Sequence, residues 1–283
     1  MQIMRVLRSQ SKDIFAASIL LLCSVFLSTR AEDNPKELTL DLGKGVKLEL
    51  VLIPPGTFEM GSLEKEEGRA KSETRHTVTL TKPFYMGKYE VTQEQFEALM
   101  GENPSKLKGP TLPAERITWE EAAKFCAKLS EKSGKTVLLP TEAQWEYACR
   151  AGTTTVFNTG DTLAALDANV NGDGKYGGSE KGENRQKTLS VGSFKPNAFG
   201  LFDMHGNVWE WCRDFYDENY YATSPAQDPE GPAKSSEDPP VRVARGGSYA
   251  SFPAKARSAC RDRLGPAYRN ARGGFRISVQ IDK

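Results

Sequence analysis

Asp203, His205, Asn207, Glu210 and Asp214 crowd one short stretch of this sequence, around Trp209 and Trp211. The tryptophans draw the stretch toward a core, and a buried acid there needs a partner, of which a bound cation is one. The plainer reading is an aromatic core segment with polar flanks. His205 has the chemistry of a general base. A serine hydrolase is not expected, however, because no G-x-S-x-G elbow exists and Gly246-Gly247-Ser248 runs on into Tyr249-Ala250.

A second group of oxygen donors lies upstream. Asp167, Asn169 and Asn171 alternate ahead of Gly172, as in the first half of an EF-hand loop. Gly178 stands where the bidentate glutamate belongs, so the full loop is absent and a solvated Asx-rich turn competes. The stretch 172–177 also spells G-x-G-x-x-G. A dinucleotide site would need a strand before it and a helix after it, but Asn171 and Gly177-Gly178 mark turns.

Five cysteines and two histidines leave little room for zinc, and no Cys-x-x-Cys spacing occurs. Cys23 falls in a leader. The four others, Cys126, Cys149, Cys212 and Cys260, are an even set that predicts disulfides in an oxidising compartment. Buried free thiols are the alternative.

These residues need elements to hold them. Residues 38–42 alternate apolar and polar, 43–45 turn, and 46–53 alternate again, which predicts a β-hairpin. Residues 77–81 and 84–91 predict two further strands. Three capping boxes then open helices: Thr92 with Gln95, Thr118 with Glu121, and Thr141 with Gln144. Beyond Ala151 the helix signal fades into Gly, Asn, Asp and aromatic residues, with short strands at 241–244 and 274–279. Residues 222–240 read as a polar, proline-rich surface loop. One α+β domain, loop-rich in its second half, accounts for the pattern.

The chain has 283 residues, 38 Lys plus Arg against 37 Asp plus Glu, and 38% apolar residues. That balance excludes both a basic nucleic-acid strip and a disordered acidic chain. Residues 1–31 have signal-peptide order: Arg5, Arg8 and Lys12, an apolar run at 14–27, then small residues ending at Ala31. The run is shorter than the ~20 residues of a spanning helix, so no stable membrane span is expected after cleavage. The chain is therefore expected to be exported, whether periplasmic, secreted or at the cell surface. Cleavage after Ala31 leaves a formal charge of −2.

Several longer stretches together resemble the formylglycine-generating enzymes, or sulfatase-modifying factors. They are IPPGTFEMGS (53–62), FYMGKYEVTQEQF (84–96), LPTEAQWEYACRAG (139–152), NAFGLFDMHGNVWEWCRD (197–214), RGGSYAS (245–251) and GGFR (273–276). Their order and spacing match from about residue 48 onward, which places the domain at 38–283. The resemblance implies a single compact domain with little regular secondary structure, related to the C-type lectin fold.

The same resemblance implies two calcium sites. The first would use the Asn169 side chain, the Val170 carbonyl, Glu183 and the Arg185 carbonyl; family members commonly have Asp in place of Glu183. The second would use Asp203, the carbonyls of Gly206 and Val208, and Glu210, with Glu90 adding a ligand to one of the two. The family's oxidase also implies a copper centre, formed by two cysteines five positions apart just after the Gly-Gly-Ser-Tyr segment, which converts a substrate cysteine to formylglycine. Here the first position is Ser251 and the second falls at 254–256, with Ala256 at the family's spacing. A hydroxyl and a methyl cannot replace two thiolates on Cu(I). Cys260 lies nine residues beyond Ser251, where a structural pair with Cys149 or Cys212 is expected.

Calcium is thus the expected cofactor and copper is not. The expected role is a binding or maturation-accessory module for a protein or peptide, such as a sulfatase or another exported protein, with no nucleic-acid partner. The alternative is the formylglycine-generating oxidase, or another superfamily enzyme with a rearranged centre. Relatives that hold iron through histidines of a separate partner domain are a poor match, because this chain has only His76 and His205. An open cleft lined by Trp209, Tyr249 and acids would favour ligand binding, and a filled one a structural role.

Overall fold

The computed structural model of the chain describes residues 34–281. The expected leader, 1–31, lies outside the described residues. In chain order the strands β1 (Glu37–Gly43), β2 (Val46–Ile53), β3 (Gly56–Met60), β4 (His76–Leu80) and β5 (Phe84–Gly87) come first. Helices α1 (Gln93–Met100) and α2 (Trp119–Ser133), strand β6 (Val137–Leu138) and helix α3 (Glu142–Arg150) follow. The second half adds β7 (Trp209–Phe215), β8 (Arg242–Arg245), β9 (Asp262–Leu264), β10 (Gly273–Gly274) and β11 (Ser278–Gln280). Among the described residues no helix is long and apolar enough to cross a membrane.

All three helices start where the capping boxes place them. In each, the threonine hydroxyl accepts the N3 amide while the Gln or Glu side chain accepts the threonine amide, satisfying two otherwise orphaned donors. α2 stops at Gly134, whose φ of 67° suits a residue without a Cβ. Its buried face, Ala122, Phe125, Cys126 and Leu129, recurs at helical spacing.

The strands form a five-stranded sheet in the order β1-β2-β5-β11-β6, a four-stranded sheet in the order β10-β7-β8-β9, and the β3-β4 pair. The hairpin pairs Leu40 with Leu48, and Leu40, Leu42, Leu48 and Leu50 all turn to one core. Phe96, Phe125 and Phe275 meet there, with Phe125 and Phe275 edge-on at 5.3 Å. A second core surrounds Trp145, Cys149 and Cys212.

Three sequence expectations change. The strand predicted over 84–91 ends at Gly87, where the chain leaves the sheet and carries Glu90 into the interior. The stretch around Trp209 and Trp211, open between a core segment with polar flanks and a set of buried acids, is the strand β7, and its Glu210 and Asp214 are buried along with its tryptophans. The predicted disulfides are not formed. Cys126, Cys149, Cys212 and Cys260 are all buried free thiols, divided between the two cores, where they fill space as small apolar side chains.

Buried arginines hold the loop-rich half together. Arg257 reaches Glu73 at 2.8 Å, Arg261 grips Glu142 at 2.7 and 2.9 Å, Arg276 grips Glu210 at 2.6 and 2.7 Å, and Arg245 pairs with Glu146. Loops carry unpaired carbonyls as well, and the same guanidiniums collect them: Arg257 donates to Gly68 and Arg261 to Ser72. Such pairs leave large penalties if one partner is lost.

Candidate functional site

β7, the turn before it and the start of the 169–189 loop meet at one amide. Asn207 donates from Nδ2 to Glu90 at 3.0 Å, and its Oδ1 accepts from Asn169 and from the Leu189 backbone at 3.0 Å each. Its own backbone N–H donates to the Asn169 carbonyl at 2.8 Å, beside the Asn169–Gly206 bridge. The residues assigned to two separate calcium sites are therefore linked through Asn207. Sequence spacing alone gave Asn207 only a place in the acidic cluster.

The acids around this knot outnumber their counter-charge. Glu90, Asp203 and Glu210 face the single guanidinium of Arg276. Glu210 is tied to Arg276 and also accepts Trp145 Nε1 at 2.7 Å. Asp203 accepts the Gly192 amide at 2.6 Å, and burial pushes its carboxyl up to about 6. Burial, together with the charges of Asp203 and Glu210, pushes Glu90 well above the usual carboxylate range. Its Oε1 is buried without a partner, and so is Asn169 Oδ1. Two orphaned oxygens beside an excess of carboxylates suit a hard cation.

The other assigned ligands are placed less uniformly. Val170, Gly206 and Val208 are buried beside these oxygens in the same segments. Glu183 is exposed and lies 3.4 Å from Arg185, on a strand-like stretch held against 169–171 by the Asn171–Asn184 bridge. Asn184 Oδ1 in that stretch is also buried and unpartnered. Asp167 and Asn171 cap local turns instead, accepting the Ala164 and Asp173 amides at 3.0 Å. Among the described residues no three Asp, Glu, His or Cys side chains converge on one point, so amide and carbonyl oxygens would have to complete any calcium shell.

His205 does not serve as a base here. Its Nδ1–H donates to the Ala256 carbonyl at 2.7 Å and its Nε2 accepts the Asn158 amide at 3.0 Å, which fixes a neutral tautomer. Burial pushes it down to about 4.

The positions at or near which the resemblance implies a cysteine pair carry Ser251 and Ala256. Ser251 Oγ accepts the Ser248 amide at 3.0 Å and lies 3.0 Å from the Ser248 hydroxyl. Ala256 is fully buried. Burial pushes the Cys260 thiol up to about 11 and Cys149 up to about 12, so neither offers a thiolate near neutrality. This donor set does not fit Cu(I). Nearby, half-buried Tyr249 lines a pocket of about 270 Å³ with Leu107, Thr188 and the buried acid Glu115, whereas Trp209 is buried elsewhere.

Asp214, the last acid of the cluster, plays no part at the cation region. It accepts the Glu142 amide at 2.9 Å, and burial plus the Glu142 charge pushes it up to about 7. A folded value above the unfolded one stabilises the fold at low pH, and that contribution is lost as pH rises from about 4 to about 7. Asp214→Asn is expected to be the more stable protein at pH 8 by about 1–3 kcal/mol, with the gap closing toward pH 5. Urea unfolding of both proteins across that range checks it, and a gap that widens toward low pH refutes it.

Comparison with known proteins completes the site. A family model described as the sulfatase-modifying factor enzyme 1-like domain matches residues 43–281. The chain is 31% identical over 247 residues to the chaperone protein LppX of Paenibacillus barcinonensis, covering 72% of this chain and 79% of that protein. It is 35% identical over 181 residues to the formylglycine-generating enzyme of Streptomyces coelicolor, covering 61% of this chain and 54% of the enzyme. Among solved structures, Treponema denticola variable protein 1 superposes with a TM-score of 0.75 at 28% identity, covering 88% of this chain and all of that one. PvdO from Pseudomonas aeruginosa gives 0.73 at 30% identity, covering 88% and 99%.

Proposed function

Starting from the fact that this chain belongs to the sulfatase-modifying factor enzyme 1-like family, we propose that it is an exported, calcium-stabilised binding or maturation-accessory module without formylglycine-generating oxidase activity. One observation carries this reading: Ser251 and Ala256 occupy the two positions where the oxidase needs thiolates. Cys260, nine residues further on, is buried, uncharged at neutral pH and alone. A relative named as a chaperone protein supports an accessory role toward other proteins.

Calcium has a structural part in this reading. Asp203 and Glu210, with the carbonyls of Gly206 and Val208, would hold one ion. Asn169, the Val170 carbonyl, Glu183 and the Arg185 carbonyl would hold the other. Bound calcium supplies the positive charge that the Glu90–Asp203–Glu210 cluster lacks.

Two measurements test the reading. A Cys-x-Pro-x-Arg peptide incubated with the Cu(I)-treated protein and oxygen is expected to keep its mass. Aldehyde formation seen by mass spectrometry would instead establish the oxidase. Chelation with EGTA is expected to lower the melting temperature, and added calcium to restore it. An unchanged melting curve would remove calcium from the reading.

A further inference from the structure

One cleft of the described residues shares no lining residue with the Ser248–Ser251 segment. It has a volume of about 880 Å³ and runs between α2, β6 and β7. Its walls are mostly apolar, including Trp119, Ala127, Leu138, Phe215 and Pro232. Volume and lining are those of a site for a small organic ligand.

One charged group in it is set differently from the fully buried arginines of the cores. Arg242 lies between two rings, 3.5 Å from the Phe215 centroid and 3.8 Å from that of Trp119. Phe215 is its cross-strand partner in β7, and Trp119 is fixed by donating Nε1–H to the Cys212 carbonyl at 2.8 Å. The guanidinium is thus held in place before any ligand arrives. Arg245, Arg257, Arg261 and Arg276 each have a carboxylate, whereas Arg242 has none among the described residues. Its Nη1 donates to the Arg213 carbonyl at 2.7 Å, and its Nε is buried without a partner.

The neighbouring acids do not supply the missing charge. Glu230 is paired with Arg213 at 2.7 Å. Asp214 and Glu120 act on Arg242 only at a distance, and neither forms an ion pair with it among the described residues. Lys135 adds a second cation at the wall, opposed by Glu131.

We propose that this cleft binds a small carboxylic acid with an apolar body, its carboxylate on the free edge of Arg242 and its body between α2 and Leu138. A guanidinium fork matches a carboxylate with two parallel hydrogen bonds. The apolar body is recognised by area removed from water. This site goes beyond the proposed function, because it needs neither calcium nor the Ser251 region, and the aldehyde and EGTA results leave it untouched.

The probe is octanoate, titrated into the mature domain by calorimetry, with 1-octanol as the uncharged arm. Octanoate is expected to bind at least tenfold more tightly than octanol, the step expected of a charge-assisted hydrogen bond. Arg242→Gln is expected to lose that advantage. Ala127→Phe, at an exposed helix position where folding is not threatened, is expected to weaken octanoate tenfold or more by filling the cleft with Arg242 intact. Equal affinity for octanoate and octanol overturns the proposal, as does undiminished binding by Ala127→Phe. A silent octanoate titration overturns it too, including the case where an apolar peptide with a free C-terminal carboxylate binds instead.

Discussion

Arg245→Met is expected to destabilise the protein by about 3–5 kcal/mol, seen as a lower urea midpoint at an unchanged m-value. Arg245 is fully buried, and its charge is met by Glu146, with Glu142 at 3.7 Å. It also donates to the carbonyls of Cys260 at 2.6 Å and Ser258 at 2.9 Å, and lies over the Trp145 ring at 5.1 Å. Methionine fills similar space but strips Glu146 Oε2 and the Cys260 and Ser258 carbonyls of their Arg245 donor, while Glu142 keeps Arg261 and Glu146 Oε1 keeps Arg150 and the Gly61 amide. That stranded charge, more than lost attraction, makes the effect large. Arg245→Lys keeps the charge and loses the fork, so its loss is expected to be smaller. A loss under about 1 kcal/mol for Arg245→Met would show that the arginine lattice is dispensable.

Gly206→Ala is the second large effect. Gly206 has φ 89°, and a Cβ there would lie 2.3 Å from the Asn169 carbonyl oxygen and 2.9 Å from Val170 Cγ1. No rotamer relieves a clash with backbone, so the Asn169–Gly206 bridge must open. Opening it disturbs the Asn207-to-Asn169 bond at 2.8 Å and the Gly206-to-Gly246 bond at 2.8 Å. The expected loss is about 3 kcal/mol or more, with the calcium-dependent rise in melting temperature abolished. Gly134→Ala separates strain from clash. Its φ is also positive, at 67°, but nothing lies within 4 Å of the added carbon, so only about 1 kcal/mol is expected. Equal losses at the two glycines would refute the clash argument.

The helix starts were legible because a capping box is a contact between residues three apart. Thr92, Thr118 and Thr141 needed no distant information to be read. The β1–β2 hairpin was legible for the same reason, since its alternation and turn lie within one short stretch. β7 was not, because the tertiary partners Arg276 and Trp145 allow a strand to bury its Glu210. The arginines of RGGSYAS and GGFR stand in recognisable motifs, yet nothing local announces that Arg245 meets Glu146 and Arg276 meets Glu210. Counting cysteines misled for a related reason. Parity and compartment say that bonds can form, but only the fold decides whether two sulfurs meet, and here all four remain free thiols, two in each core.

The sequence by itself determined the family, the α+β character, the capped helices and the identity of Ser251 and Ala256, which stand at or near the positions where the resemblance implies copper ligands. Each of these is fixed by residue identity or by neighbours along the chain. Only the tertiary structure decided that Asn207 joins the two oxygen clusters and that, among the described residues, Glu90 and Asn169 keep unpartnered oxygens and Arg242 lacks the carboxylate that Arg245, Arg257, Arg261 and Arg276 have. Those facts depend on which groups far apart in the chain share a water-poor space, where one charge more or less sets what else must bind.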